Sequence, residues 1–460
     1  MTNHYFFCGI GGSGMLPLAA IVRARGHRVS GSDRSLDAGR TAPKFDYLKS
    51  LGIDLFAQDG SGLEAGMTLV ASAAVEDSVP DVVAAKELGV PRLGRPELLA
   101  EMLNAADKSV AVGGTSGKST VTGMIAWMLV GTGYQPTVMN GAVMKNFASP
   151  SAPFASALAG DPELFVSEVD ESDGSIALYR PTVALVNNIS LDHKSMEELR
   201  TLFGNFLDVA DKGVVNLDDE EAAALTQGRD GLVTFAFDND DATLSAVDLN
   251  LGEMGTSFCV LYRGNRIPVA LPMRGRHNAQ NALAALAAVH ALGIPLGEAA
   301  AALSRFAGLK RRLELVGEAG GVQVYDDFGH NPDKVAATLD TMAGHRLKVM
   351  FQPHGYGPIR QMGEQMARVF ADKMKPGDCL YLSDPVYQGG TVDTSIGSGW
   401  LADQVRQAGG EATHIADRDV IAARLVREAE AGDVILIMGA RDDSLITYAQ
   451  HIVAELQARG

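Results

Sequence analysis

Residues 109–120 read Ser-Val-Ala-Val-Gly-Gly-Thr-Ser-Gly-Lys-Ser-Thr, and their reading decides the fold. Ser109-Val110-Ala111-Val112 is a short apolar run that predicts a buried strand, and the residues from Ser119 to about Gly131 predict a helix. Strand, tight glycine loop, Lys-Ser and helix in that order cradle a polyphosphate. The glycines let backbone N–H groups approach the phosphates, and the helix N-terminus adds its dipole. Lys118 would neutralise the β/γ charge and Ser119 would ligate Mg²⁺. The first glycine of the eight-residue form is replaced by Val112, so the shorter G-T-x-G-K-[ST] form stands here. The candidate nucleotide residues are Gly114, Thr115, Ser116, Gly117, Lys118, Ser119 and Thr120; a turn without ligand is the alternative reading.

Working outward, carboxylates for a metal follow the next predicted strands, where an α/β sheet presents its ligands. Ser167-Glu168-Val169-Asp170-Glu171-Ser172-Asp173 follows Leu164–Val166, and Asn187-Asn188-Ile189-Ser190-Leu191-Asp192-His193 follows Val183–Val186. Glu168 and His193 could reach one Mg²⁺ from neighbouring strand ends. A solvated acidic loop and a helix-capping Asp-His pair are the bland alternatives.

Upstream, His4–Cys8 predicts a strand that enters Gly9-Ile10-Gly11-Gly12-Ser13-Gly14, with Asp33 closing the next strand. This is the dinucleotide fingerprint, although its glycine geometry suits any diphosphate. Alone it would suggest an oxidoreductase, which a second nucleotide loop at 113–120 disfavours. Downstream, 213–272 reads β-rich, His277–Leu292 is an alanine-rich helix, and strands recur at Val322–Tyr325, Leu347–Phe351, Cys379–Leu382 and Val434–Met438. Strands alternating with helices predict doubly wound parallel sheets.

Bulk properties narrow the function. A chain of 460 residues exceeds one core and predicts several domains. A formal net charge of −17 argues against nucleic-acid partners, which need a basic surface. No apolar run reaches the roughly 18–20 residues that span a bilayer, so no membrane partner is expected. The first residues lack a basic signal region, and Cys8, Cys259 and Cys379 are too scattered for a disulfide framework or zinc site. A cytoplasmic location is the expectation. Oligomeric state is not written in the sequence.

Taken together, these motifs resemble the Mur ligases of peptidoglycan synthesis, in particular the branch joining L-alanine to UDP-N-acetylmuramate, with the murein-peptide recycling ligases next. The resemblance spans nearly the whole chain in order: GIGGSGM with SGSD, GTSGKST, SEVDESD, NNISLDH, GRHNAQNALAA (275–285), RRLE (311–314), YDDFGHNP (325–332) and FQPHGYGPIR (351–360). It implies three α/β domains: a Rossmann-like UDP-binding domain at 1–106, a central P-loop ATPase at 107–310 with a parallel sheet and a small β-rich part, and a C-terminal Rossmann-like domain at 311–460. It implies an ATP- and Mg²⁺-dependent ligase that activates a UDP-sugar carboxylate as an acyl phosphate and couples it to an amino acid or peptide. By the same match Gly9, Gly11, Gly12, Ser13, Gly14, Met15, Ser32, Asp33 and Ser72 would bind the UDP-sugar. Asn278, Asn281, Arg312 and Asp327 would join the loop in binding ATP, and Ser119, Glu168 and His193 would hold the metal. Lys118, His193 and His330 would be catalytic, and Asn331 and Arg360 would face the incoming amine.

Departures from the family pattern cluster at the amine. Asn331 stands where a second histidine is usual, and Gly355 and Pro358 stand where arginines are usual, leaving Arg360. Ser116 and Ser119 replace the usual His and Thr of the loop. Arginines are the natural forks for an amino-acid carboxylate, so the pattern also admits another amine or another carboxylate donor. A nucleotide-binding regulator that kept the fold and lost turnover is the reading from another class, disfavoured by the presence of Lys118, Glu168 and His193 together.

Overall fold

A computed structural model describes residues 2–459 except 74, 192–193, 387–392, 441 and 443. The chain packs into two compact units, Met1–Gly308 and Leu309–Gly460.

The first unit contains two sheets. The smaller has five parallel strands in the order Asp54–Phe56, Arg28–Ser32, His4–Cys8, Thr68–Ala71 and Arg92–Gly94. Its central strand is buried on both faces, Phe7 in one apolar cluster and Phe6 and Cys8 in another, as expected where crossover helices cover both sides. Order reverses between His4–Cys8 and Thr68–Ala71, the place where doubly wound sheets bind ligands at their carboxyl edge. Gly31 is required by this packing: a Cβ would stand 2.5 Å from the Phe7 carbonyl oxygen.

The larger sheet has ten strands: Asn265–Leu271, Gly255–Tyr262, Leu244–Gly252, Val233–Phe237, Lys212–Asn216, Val183–Val186, Lys108–Gly113, Asp161–Glu168, Pro136–Met139 and Ala157–Leu158. Pairing is parallel from Pro136–Met139 to Leu244–Gly252 and antiparallel at both edges. The β-rich stretch is therefore one margin of this sheet and not a separate body. Lys108–Gly113 lies between Val183–Val186 and Asp161–Glu168, so the three loops that follow these strands emerge side by side. The helix Lys118–Gly131 packs beside Arg276–Ala291, whose alanines permit close approach to the sheet.

The second unit is a six-stranded sheet: Glu314–Ala319, Val322–Asp327, Asp433–Gly439, Arg346–Gln352, Cys379–Leu382 and Thr413–His414, parallel except for the first. Val349, Phe351 and Leu436 pack on one face, and Met350, Ile435 and Ile437 on the other. Three α/β sheets in chain order agree with the expected fold class. Among the described residues no helix is long and apolar enough to cross a membrane.

Candidate active site

The loop after Lys108–Gly113 is held from below by two asparagines. Asn188 Oδ1 accepts from the Ser116 N–H at 2.8 Å and the Thr115 hydroxyl at 3.0 Å, and Asn188 Nδ2 donates to the Ser116 carbonyl at 3.1 Å. Asn187 Nδ2 donates to the same carbonyl at 3.3 Å and to Asn281 Oδ1 at 3.1 Å. Gly117 has φ of 82°, and a Cβ there would stand 2.4 Å from Asn281 Oδ1. The loop thus needs glycine both for its left-handed turn and for this close approach. The first N–H groups of the helix Lys118–Gly131 have no intrahelical acceptors and open on the same cradle.

Lys118 points back across the loop, donating to the Gly114 carbonyl and to Glu171 Oε2, both at 2.7 Å. Glu171 is almost wholly buried, and burial pushes its carboxyl above the usual range against the pull of Lys118. Beside this pair the Ser119 hydroxyl donates to Glu168 Oε2 at 2.6 Å. Burial acts upward on Asp170, but hydrogen bonds from Ser172 and the fields of Lys118 and Arg95 bring it below the carboxylate norm. Asn140 Nδ2 holds the Ser119 carbonyl at 3.0 Å, and at Gly141 a Cβ would stand 2.0 Å from Glu168 Oε1. The third expected metal ligand, His193, lies outside the described residues. Among the described residues no group of three His, Cys, Asp or Glu is placed to hold a metal.

Gly9 and Ile10 N–H groups bond the Ser32 carbonyl at 2.8 and 2.9 Å, folding the first glycine loop over the adjacent strand. Asp33 accepts from the Gly11 N–H at 2.9 Å and the Ser35 N–H at 2.7 Å, so both its oxygens brace the backbone. Ser32 is fully buried, its hydroxyl donating to the buried Asp81, and Met15 is buried in the core beneath the loop. The residues of this loop that stand open are Gly12 and Ser13, and Ser72 is half-buried at the neighbouring strand end. Asn278, expected on the adenine side, is buried and donates to the Arg274 carbonyl at 2.8 Å.

In the second unit, Arg311 has φ of 57° and Leu313 of 47°, two side-chain-bearing residues in the left-handed region flanking Arg312. Arg311 is buried on Asp326, with bonds to the Ala440 and Asp442 carbonyls at 3.0 and 3.1 Å. Burial still pushes Asp326 up to about 6, although Arg311 opposes it. Arg312 stacks over the Phe328 ring at 4.8 Å. Asp327 accepts from the Leu313 and Gly329 N–H groups, both at 2.7 Å, and so ties the 311–313 turn to the strand end. Asn331 is buried as the N-cap of the helix Pro332–Thr341, accepting from the Lys334 N–H at 3.0 Å. Arg360 is paired with Asp393, donating to its carbonyl and lying 3.4 Å from its carboxylate.

His330 packs between Phe328 and His354, with ring centroids 4.7 and 5.6 Å away. The Phe328 carbonyl 2.9 Å from Nδ1 can only accept, which places the proton on Nδ1 and leaves Nε2 as an acceptor. Burial, reinforced by Lys334, lowers its pKa to about 3. His330 should therefore stay neutral through the physiological range. The unfolded chain takes up a proton below about 6.5, so the stability this group contributes is lost as pH falls from there toward 3. A ¹⁵N-imidazole titration should show no His330 transition between pH 5 and 8, roughly the range of an ordinary histidine; a midpoint near 6.5 would refute the assignment.

The sequence reading passed over Glu171, Asn187, Asn188 and Gly141 as individual site residues. Their signal lay in their positions directly after strands that flank the loop.

A phosphate-binding loop with its lysine and carboxylates at the edge of a parallel sheet, in a chain that carries one further α/β sheet before it and one after it in sequence, defines the class: an ATP-dependent, ADP-forming acid–amino-acid ligase. The chain belongs to the Mur ligase family. Three family profiles match in succession: "Mur ligase family, catalytic domain" over residues 4–107, "Mur ligase middle domain" over 112–289 and "Mur ligase, glutamate ligase domain" over 311–441. The chain is 36% identical to the UDP-N-acetylmuramate–L-alanine ligase of Streptomyces coelicolor, over 95% of this chain and 94% of the relative. It is 34% identical to the ligase of the same name from a Geobacter species, over 94% of each. Among solved structures it is similar to the UDP-N-acetylmuramate–alanine ligase MurC of Thermotoga maritima (TM-score 0.81, 25% identity, 99% and 100% of the two chains). It also resembles a murein peptide ligase of Psychrobacter arcticus (TM-score 0.70, 26% identity, 99% of each).

Proposed function

We propose that this ligase joins L-alanine to the carboxylate of UDP-N-acetylmuramate in the cytoplasm. A donor carboxylate oxygen attacks the γ-phosphorus of ATP and ADP leaves. The amine nitrogen then attacks the acyl carbon, phosphate leaves, and the amine gives up a proton. The observation that carries this reading is the assembly of Lys118, Ser119 and Glu168 on a loop pinned by Asn187, Asn188 and Asn281.

The residues fit both groups the reaction needs. The Ser116 hydroxyl and Asn187 Oδ1 are buried at the loop without a hydrogen-bond partner among the described residues, and a cradle lined by glycine and helix N–H groups suits phosphate oxygens. For Mg²⁺, Glu168 and the Ser119 hydroxyl are hard oxygen donors 2.6 Å apart, and His193 would complete the set. Bound there, the metal would neutralise charge on the phosphate oxygens. Lys118 would do the same from the loop side, and the asparagine clamp would fix the loop so that positioning supplies most of the rate. Gly9–Gly14 would hold the UDP part, with Asp33 and Ser32 shaping that loop. Arg312 would present its guanidinium to ATP, with Asp327 setting the turn that carries it. His330 would offer a neutral Nε2 beside the reacting groups.

A second reading, an amine other than L-alanine, is favoured by Gly355 and Pro358. The helix Tyr356–Lys373 begins in a segment that carries neither arginine, and Arg360 is engaged by Asp393. Phosphate release with ATP, Mg²⁺ and UDP-N-acetylmuramate should depend on L-alanine, with glycine, L-serine and the murein tripeptide at least about tenfold weaker. Release with another member of this panel and not with L-alanine would establish the second reading. Release only with another carboxylate donor would refute the UDP-N-acetylmuramate assignment.

A further inference from the structure

Arg95 begins the helix Arg95–Asn104, directly after the strand Arg92–Gly94. That strand is the margin of the five-stranded parallel sheet, so Arg95 emerges at the same carboxyl edge as Gly9–Gly14 and Ser72. Its side chain lies along the end of the glycine loop: a Cβ at Gly14 would stand 3.2 Å from Arg95 Cδ and 3.5 Å from both Nε and Nη1. A side chain at 14 would push the guanidinium away.

On its other side Arg95 lies within electrostatic reach of Asp170 and Tyr179, in the segment that follows Glu168. The helix is fastened to that segment at its far end. Asn104 Nδ2 donates to the Leu178 carbonyl at 2.9 Å, and Asn104 Oδ1 accepts from the Arg180 N–H at 2.7 Å. Arg95 therefore stands on a rigid element between the glycine loop and the carboxylate loop. Half-buried there, it makes no hydrogen bond and no ion pair among the described residues. Arg92, at the start of the preceding strand, is by contrast satisfied by Asp77 and the Val75 carbonyl. A partly desolvated guanidinium with its donors unspent is built for a planar or forked anion.

We infer that Arg95 is a donor-binding residue that grips the anionic part of the sugar nucleotide where it passes from the Gly9–Gly14 loop toward Lys118. This rests on the proposed function for the identity of the donor. Two groups share the required chemistry, the diphosphate and the sugar's carboxylate.

The test is calorimetric titration of UDP, UDP-N-acetylmuramate and ADP into the wild-type chain, Arg95→Ala and Arg95→Lys, with melting temperatures alongside. Arg95→Ala should bind UDP-N-acetylmuramate ten- to a hundredfold more weakly, roughly the value of a charged hydrogen-bonded contact. ADP affinity and melting temperature should hold. Arg95→Lys should recover part of the loss, and the KM for the donor should rise more than kcat falls. Weakening of UDP to the same degree would assign the diphosphate; weakening of UDP-N-acetylmuramate alone would assign the carboxylate. Unchanged affinity for both in a chain whose wild type binds them would overturn this inference and leave the proposed function standing. Weakened ADP binding with a lowered melting temperature would mean that Arg95 only braces the fold. A wild-type chain that binds neither sugar nucleotide would overturn both readings.

Discussion

Lys118→Ala is expected to lose phosphate release by ~10³-fold or more, while UDP-sugar binding changes little. The ammonium is bonded to the loop carbonyl of Gly114, and phosphoryl transfer depends on charge neutralisation and positioning. The two nucleotide loops follow strands of different sheets, so the sugar nucleotide should still bind. The substitution also has a cost in stability. Glu171 would be left buried with its counter-charge gone, and breaking one side of such a pair costs about 3–5 kcal/mol. Burial already favours the neutral acid at Glu171, which will take up a proton and recover part of that loss. Lys118→Ala with Glu171→Gln should melt higher than Lys118→Ala alone and remain as inactive. Substantial ATP-dependent turnover in either variant would remove Lys118 from the mechanism.

Glu168→Gln and Gly141→Ala should fail in the same way, by roughly 10²-fold or more in kcat. The first removes the negative charge that a hard cation requires while leaving the Ser119 hydroxyl an acceptor. The second leaves every polar group in place and acts by volume, because a methyl group at 141 would meet Glu168 Oε1 at 2.0 Å and force the carboxylate off Ser119. Raising Mg²⁺ should restore part of the activity of Gly141→Ala and little of Glu168→Gln. Wild-type Mg²⁺ dependence in both would show that the metal is held elsewhere.

The loop, its lysine and the two acidic strand ends were legible because each follows an apolar run directly. A parallel sheet turns that local pattern into a spatial one: neighbouring strands end on the same edge. The register that sets Asn188 against both Thr115 and Ser116 was not legible, since the contacts join residues 73 and 72 apart. Arg311 and Arg312 are adjacent and chemically equal in the sequence. Only the left-handed turn sends the first to Asp326 and leaves the second over Phe328. Ser32 and Asp33 were expected at the ligand, and the structure places them as braces of the loop that would meet it. The β-rich stretch was visible as strands, but its place as a margin of the large sheet depends on pairing that periodicity does not encode.

The ion pair of Lys118 with Glu171 also bears on which anions the loop would admit. A bare lysine above a ring of N–H groups would collect any small anion, and a ligase of this class fills its surroundings with one at every turnover. Here the lysine's charge is already answered from within. Free phosphate would meet a nearly neutral floor, while a nucleotide arriving with its own cation could trade partners without leaving a charge stranded. Discrimination against free phosphate is the expected consequence, which titration of phosphate into the wild-type chain and Glu171→Gln would check.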